Sequence, residues 1–126
     1  MADNNIAGRL ALITGASSGY VPFHSQIAVS DLRIRIGAAC ARDLATRGVH
    51  LALTYSTNRT SMEKIVADIK SSNADAPKLR LSIHKVDVGI PDEIANMFKE
   101  VQEQHQTHID ILVSNAGYGK RIVDVW

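Results

Sequence analysis

An α/β fold built on a doubly wound parallel sheet is predicted by three observations. Short apolar runs alternate with segments of helical periodicity through most of the 126 residues. The first apolar run passes directly into a glycine-rich turn, LALITGASSG at Leu10 to Gly19. The last run, Ile109 to Ser114, is apolar enough to be covered on both faces, as parallel strands are. Parallel strands joined through helices require right-handed crossovers.

Each element follows from its residues. Arg9 to Thr14 reads as the first strand, and Ile36 to Arg47 as a first helix that stops at Gly48, a good residue just past a helix end. His50 to Tyr55 is the second strand. Ser61 to Ser71 places Met62, Ile65, Val66 and Ile69 on one helical face, with Ser61 as its N-cap. Leu79 to Val86 alternates apolar and polar residues as a strand does. Pro91 to His105 is the third helix: Pro91 suits the first turn, and Asp92 and Glu93 suit its positive end. Ile94, Met97, Phe98 and Val101 form its expected buried stripe. Ile109 to Ser114 completes the set.

The glycine turn and the first helix do not adjoin. Sixteen residues, Tyr20 to Arg35, stand between Gly19 and Ile36. Without them the text reads TGASSGIGAACARDLATRG, in which strand, turn and helix run on without a break. The continuous form carries a physical meaning. A helix N-terminus offers unpaired N–H groups and partial positive charge, and glycines let an anion approach the backbone. Gly15, Gly19 and Gly37 supply those positions, which points to binding of a dinucleotide's pyrophosphate. A plain structural turn is the alternative.

TGASSG, continued by Ile36-Gly37 after the gap, resembles the TGxxxGIG cofactor motif of the short-chain dehydrogenase/reductase family. Val86-Asp87-Val88 at the end of the third strand and Ser114-Asn115-Ala116-Gly117 after the fourth match two further motifs of that family in order. The resemblance covers the chain apart from Tyr20 to Arg35, and the 3-oxoacyl-[acyl-carrier-protein] reductase-like members are the nearest in character. It implies a Rossmann-type sheet of strand order 3-2-1-4, truncated after the fourth strand, with an inserted loop or helical extension after the first. It also implies hydride transfer between a nicotinamide cofactor and a carbonyl or alcohol carbon.

The site residues implied by the resemblance are Gly15, Ser17, Ser18, Gly19, Ile36 and Gly37 at the pyrophosphate. Asp87 and Val88 stand at the adenine, and Asn115, Ala116 and Gly117 on the ribose and nicotinamide side. Ser114 stands where the family usually has Asn. After the second strand the chain reads Tyr55-Ser56-Thr57-Asn58-Arg59, with no acidic residue to take the ribose hydroxyls of NAD. Ser56, Asn58 and Arg59 therefore favour NADP(H) over NAD(H), against a reading of Arg59 as a solvated turn residue. Asp87 has a similar alternative as a turn residue. The family's catalytic Ser and Tyr-x-x-x-Lys have no counterpart: none of Tyr20, Tyr55 and Tyr118 has Lys at the fourth position after it. No catalytic residue is assigned, and the family's usual homo-oligomeric state is not carried over to this chain.

Composition excludes other classes. A net charge of +1 favours neither nucleic acid nor an anionic membrane. The one cysteine, Cys40, reads as a packed small side chain. The N-terminal segment lacks an apolar core for export and no long apolar span occurs, so a cytoplasmic protein is expected. His105 and His108 near Glu103 read as a solvated helix end and not as a metal site.

Two origins are open for Tyr20 to Arg35. Gly19-Tyr20-Val21 can be encoded with a GTATGT splice donor, Arg35 with an acceptor AG, and Ser30-Asp31 with a CTGAC branch sequence. The 48 intervening nucleotides are in frame, as a short retained intron would be. The other origin is a true loop or a helical extension in which Ser30 or Asp31 caps a helix running on through Ile36. In both cases the helix N-terminus leaves Gly15 to Gly19, and Phe23 and Ile27 enter the phosphate space. The functional reading is an NADP(H)-dependent oxidoreductase by family, represented by its cofactor half. A catalytically inactive nucleotide-binding or interaction fragment is the alternative.

Overall fold

The computed structural model describes residues 5–16, 29–57, 59–75 and 78–115, with 29–35 described by their backbone. The elements run β1 (Leu10–Ile13), α1 (Val29–Thr46), β2 (His50–Tyr55), α2 (Arg59–Ser72), β3 (Leu81–Lys85), α3 (Pro91–His105) and β4 (Ile111–Val113). The four strands form one parallel sheet in the order β3-β2-β1-β4. This is the Rossmann-like strand order that the sequence implies.

β1 and β2 are the centre of the sheet, and their residues are apolar on both faces because both faces are covered. Ala11, Ile13, Leu51 and Leu53 pack with Ala38, Ala41 and Ala45 of α1 and with Met62, Ile65 and Ile69 of α2. Leu10, Leu12 and Ala52 pack on the other face with Val86 and with Met97 and Val101 of α3. The alternation is the period of two expected of a strand. Cys40 lies half-buried against the first cluster, as a packed side chain.

Helix ends follow their local chemistry. α1 closes with the Gly48 N–H donating to the Ala45 carbonyl and the Val49 N–H to the Leu44 carbonyl, with Gly48 at φ +80°. That pair of bonds satisfies carbonyls that the helix leaves open. α3 begins at Pro91 with Asp92 and Glu93 in its first turn, but ends on a non-glycine residue: Gln106 adopts φ 53° and donates its N–H to the Gln102 carbonyl at 2.8 Å.

Several expectations are corrected. α1 begins at Val29 and not at Ile36, so the helical extension is present, and Ser30 and Asp31 lie inside the helix and not before it. Ser61 is not an N-cap: α2 starts at Arg59, and Ser61 is buried within its first turn. Phe98 is 40% exposed, because Met97, Val101 and His105 form the buried row of α3. His105 is therefore not a solvated helix end; it is buried and bonded to Ser82. β4 is covered less than β1, with Leu112 60% exposed on a strand that pairs with β1 at the edge of the sheet.

Candidate functional site

Because all four strands are parallel, their carboxyl ends lie along one edge of the sheet. The segments that follow β1, β2, β3 and β4 carry Gly15, Ser56, Asp87 and Asn115, so the topology gathers these predicted residues on that edge.

The turn after β1 is held from both sides. The Gly15 N–H donates to Thr54 Oγ1 at 3.1 Å and the Ala16 N–H to the Thr54 carbonyl at 3.0 Å, which ties the turn to β2. On the other side the Thr14 N–H donates to the Val113 carbonyl at 3.1 Å. The Asn115 N–H donates to Thr14 Oγ1 at 3.1 Å, and Asn115 Nδ2 donates to the Gly15 carbonyl at 3.2 Å. Gly15 has φ +62°, a backbone region that side chains with a Cβ rarely enter.

Gly37 packs against this turn from α1. A Cβ at position 37 would stand 2.7 Å from Asn115 Nδ2 and 3.1 Å from the Cα of Ala16. The three predicted residues Gly15, Gly37 and Asn115 are thus brought into one small-residue seat, in which only glycine lets the helix approach the turn. Thr14, the first residue of the TGASSG motif, and Thr54, which no sequence motif marks, complete the seat. A threonine at the end of a strand has no pattern that separates a turn-binding hydroxyl from an ordinary β-branched strand residue.

The start of α1 is arranged differently. Ile36 is the eighth residue of α1 as it runs from Val29, and its side chain is 51% exposed. Only the first four N–H groups of a helix are free, so those of Ile36 and Gly37 belong to the helix interior. The helix N-terminus thus lies away from Ile36, as expected when residues 20–35 interrupt the turn. Ser17, Ser18, Gly19, Phe23 and Ile27 lie outside the described residues.

Asp87 is exposed after β3, and its Oδ1 accepts the Gly89 N–H at 2.8 Å, closing a local turn. Val88 is 37% exposed beside it. After β2, Ser56 is exposed. Arg59 is the first residue of α2, and its Nε pairs with Glu63 Oε1 at 2.9 Å one turn on. Hydrogen bonding to Glu63, with the Tyr55 phenol and the Glu63 charge adding to it, holds the Arg59 pKa above its ordinary value. Its guanidinium is therefore engaged with its own helix. Asn58, Ala116 and Gly117 lie outside the described residues.

Among the described residues no three His, Cys, Asp or Glu side chains are grouped to hold a metal ion, and no helix is long and apolar enough to cross a membrane.

A family model described as enoyl-(acyl carrier protein) reductase matches residues 35–125, so the match begins at the last residue of the interrupting segment. The chain is 34% identical over 117 residues to versicolorin reductase stcU of Emericella nidulans, which covers 92% of this chain and 36% of that protein. L-Sorbose reductase from Gluconobacter frateurii, solved in complex with NADPH and L-sorbose, superposes with a TM-score of 0.69 at 27% identity, covering 97% of this chain and 39% of the other. An alcohol dehydrogenase from the archaeon Thermococcus sibiricus, solved with 5-hydroxy-NADP, gives a TM-score of 0.66 at 29% identity, over 94% of this chain and 42% of the other. The chain thus spans little more than a third of the length of these relatives.

Proposed function

The chain belongs to the short-chain dehydrogenase/reductase family, and on that premise we propose that it is the cofactor-binding half of an NADP(H)-dependent oxidoreductase that moves hydride between nicotinamide and a carbonyl or alcohol carbon. The observation that carries this reading is the seat of Gly15, Gly37 and Asn115, where a side chain at position 37 would collide with the turn. Close packing of a helix on the turn at the carboxyl end of β1 is the role that the third glycine has in a dinucleotide-binding turn. NADP(H) is favoured because the segment Tyr55 to Arg59 offers hydroxyls and no carboxylate, with Arg59 a cation that would exchange its Glu63 partner for the extra phosphate. Two structural relatives were solved with NADPH and with 5-hydroxy-NADP. Asp87 and Val88 are assigned to the adenine, and Asn115, Ala116 and Gly117 to the ribose and nicotinamide side, in a cytoplasmic protein. When bound, the cofactor supplies the hydride; the residues of this chain seat it. The family's catalytic Ser and Tyr-x-x-x-Lys are assigned to no residue here.

A second reading, a catalytically inactive nucleotide-binding or interaction fragment, is favoured by one specific observation. α1 starts at Val29, so its free N–H groups do not stand at Ile36 and Gly37, and the pyrophosphate half of the seat does not fit. The two readings separate on the segment from Tyr20 to Arg35. NADPH fluorescence is titrated with the whole chain and with a chain lacking residues 20–35. The cofactor reading expects the shortened chain to bind more tightly, with NADH weaker than NADPH; no binding by either chain overturns it. The same segment is read as a retained intron. Sequencing the transcripts decides this: a message that always contains these codons, with no shorter form, sinks it.

A further inference from the structure

At the opposite end of β3 from the cofactor edge lies a pocket of about 350 Å³, lined by Lys70 of α2, Leu79 to Ser82 leading into and opening β3, and Gln104 and His105 of the last turn of α3. Its polar floor is ordered. Ser82 Oγ lies 2.7 Å from His105 Nε2 and 2.8 Å from His84 Nε2, and His84 Nδ1 lies 3.1 Å from Glu100 Oε2. Ser82, His84 and His105 are all more than nine-tenths buried.

The donors follow from the carboxylate. Glu100 accepts only, so His84 Nδ1 donates to it, and in the tautomer that carries this one hydrogen Nε2 is an acceptor. With that tautomer the Ser82 hydroxyl donates to His84 Nε2, and Ser82 Oγ accepts from His105 Nε2–H. That leaves His105 Nδ1 as the one position of its neutral ring that can still take a proton.

The charged side chains that line the pocket wall are both basic. Lys70 and Arg80 are exposed at the pocket wall, and neither has an ion-pair partner among the described residues. The titratable and charged groups about the ring are Lys70 from α2, Arg80 just before β3, His84 from β3, His50 from β2, and Glu100 of α3, which reaches it through His84. Burial lowers the His105 pKa most, and His84, His50 and Arg80 lower it further.

The geometry points to a binding site for a small oxyanion, a phosphate or carboxylate group, held by Lys70 and Arg80 at the wall over the Ser82–His105 floor. An anion there supplies the negative charge that the pocket lacks and favours protonation of His105. The site is separate from the cofactor edge and does not rest on the cofactor reading.

The test uses the full chain labelled with ¹⁵N, following the histidine rings by two-bond ¹H–¹⁵N spectra during titration with sodium phosphate, sodium acetate or sodium chloride at matched ionic strength. The expected result is a saturable movement of the His105 signals and a raised His105 titration midpoint with phosphate, while the exposed ring of His108 responds as it does to chloride. An equal response to acetate assigns the site to carboxylates as well; a response to phosphate alone restricts it to phosphate groups. Arg80→Gln and Lys70→Met, both at exposed positions, each weaken the response by ~3-fold or more, the scale of one exposed ion pair. A response no larger than that to chloride, or one that survives in the double variant, overturns the site.

Discussion

Replacing Gly37 with alanine separates two physical accounts of this residue by sign. In an exposed helix interior the change stabilises by about 1 kcal/mol, because alanine loses less backbone freedom on folding. At this position the added methyl would stand 2.7 Å from Asn115 Nδ2 and 3.1 Å from the Cα of Ala16. Asn115 can withdraw only by giving up its 3.2 Å bond to the Gly15 carbonyl, a loss of about 0.5–1.5 kcal/mol. Ala16 is backbone and cannot rotate away, so the helix itself must shift, at about 1–3 kcal/mol for an overpacked site. Setting the propensity gain against these costs leaves a net destabilisation of about 0.5–3.5 kcal/mol. Urea unfolding followed by far-ultraviolet circular dichroism measures it. Asn115→Ala removes the closer collision, so the cost of Gly37→Ala should fall in that background by about 1 kcal/mol in a double-mutant cycle. A Gly37→Ala chain more stable than the parent would refute close packing between α1 and the turn.

Two further outcomes are expected. His105 is buried, and its pKa lies below its unfolded value, chiefly through burial. The unfolded chain therefore binds the extra proton first: this contribution is intact above the ordinary histidine pKa and is lost as pH falls through the depressed native one, with a slope of at most about 1.4 kcal/mol per pH unit. Urea midpoints measured across that range should fall less steeply for His105→Gln, and equal slopes would contradict the assignment. Thr54→Val keeps the shape of a buried strand residue but removes the acceptor of the Gly15 N–H. It should cost about 1–3 kcal/mol in the same unfolding assay, and a neutral result would mean that the turn is held by other contacts.

The elements most legible in the sequence were those with a chemical boundary of their own. β2 and α3 fall within the limits read for them, α3 because Pro91 with Asp92 and Glu93 marks its start. The start of α1 was less accessible, since the family pattern resumes at Ile36 while the helix begins at Val29. The end of α3 carried no glycine signal, because Gln106 takes the left-handed conformation there. His105 was misread because Gln102, Gln104 and Gln106 around it are polar; its burial follows from meeting Ser82 on β3, 23 residues earlier in the chain. In the candidate site, Gly15, Gly37 and Asn115 were legible from a motif. Thr54 was not, because its hydroxyl acts across strands that periodicity describes one at a time.

The bonds from Thr54 and Asn115 to the turn after β1 have a consequence for timing. Thr14, Gly15 and Ala16 are tied to both neighbouring strands by the protein alone. On the proposed cofactor reading, a nucleotide arriving there would meet backbone already in place, and none of its binding energy would be spent on ordering these three residues. Whatever stands between Ala16 and α1, this part of the cradle is ready before any ligand arrives.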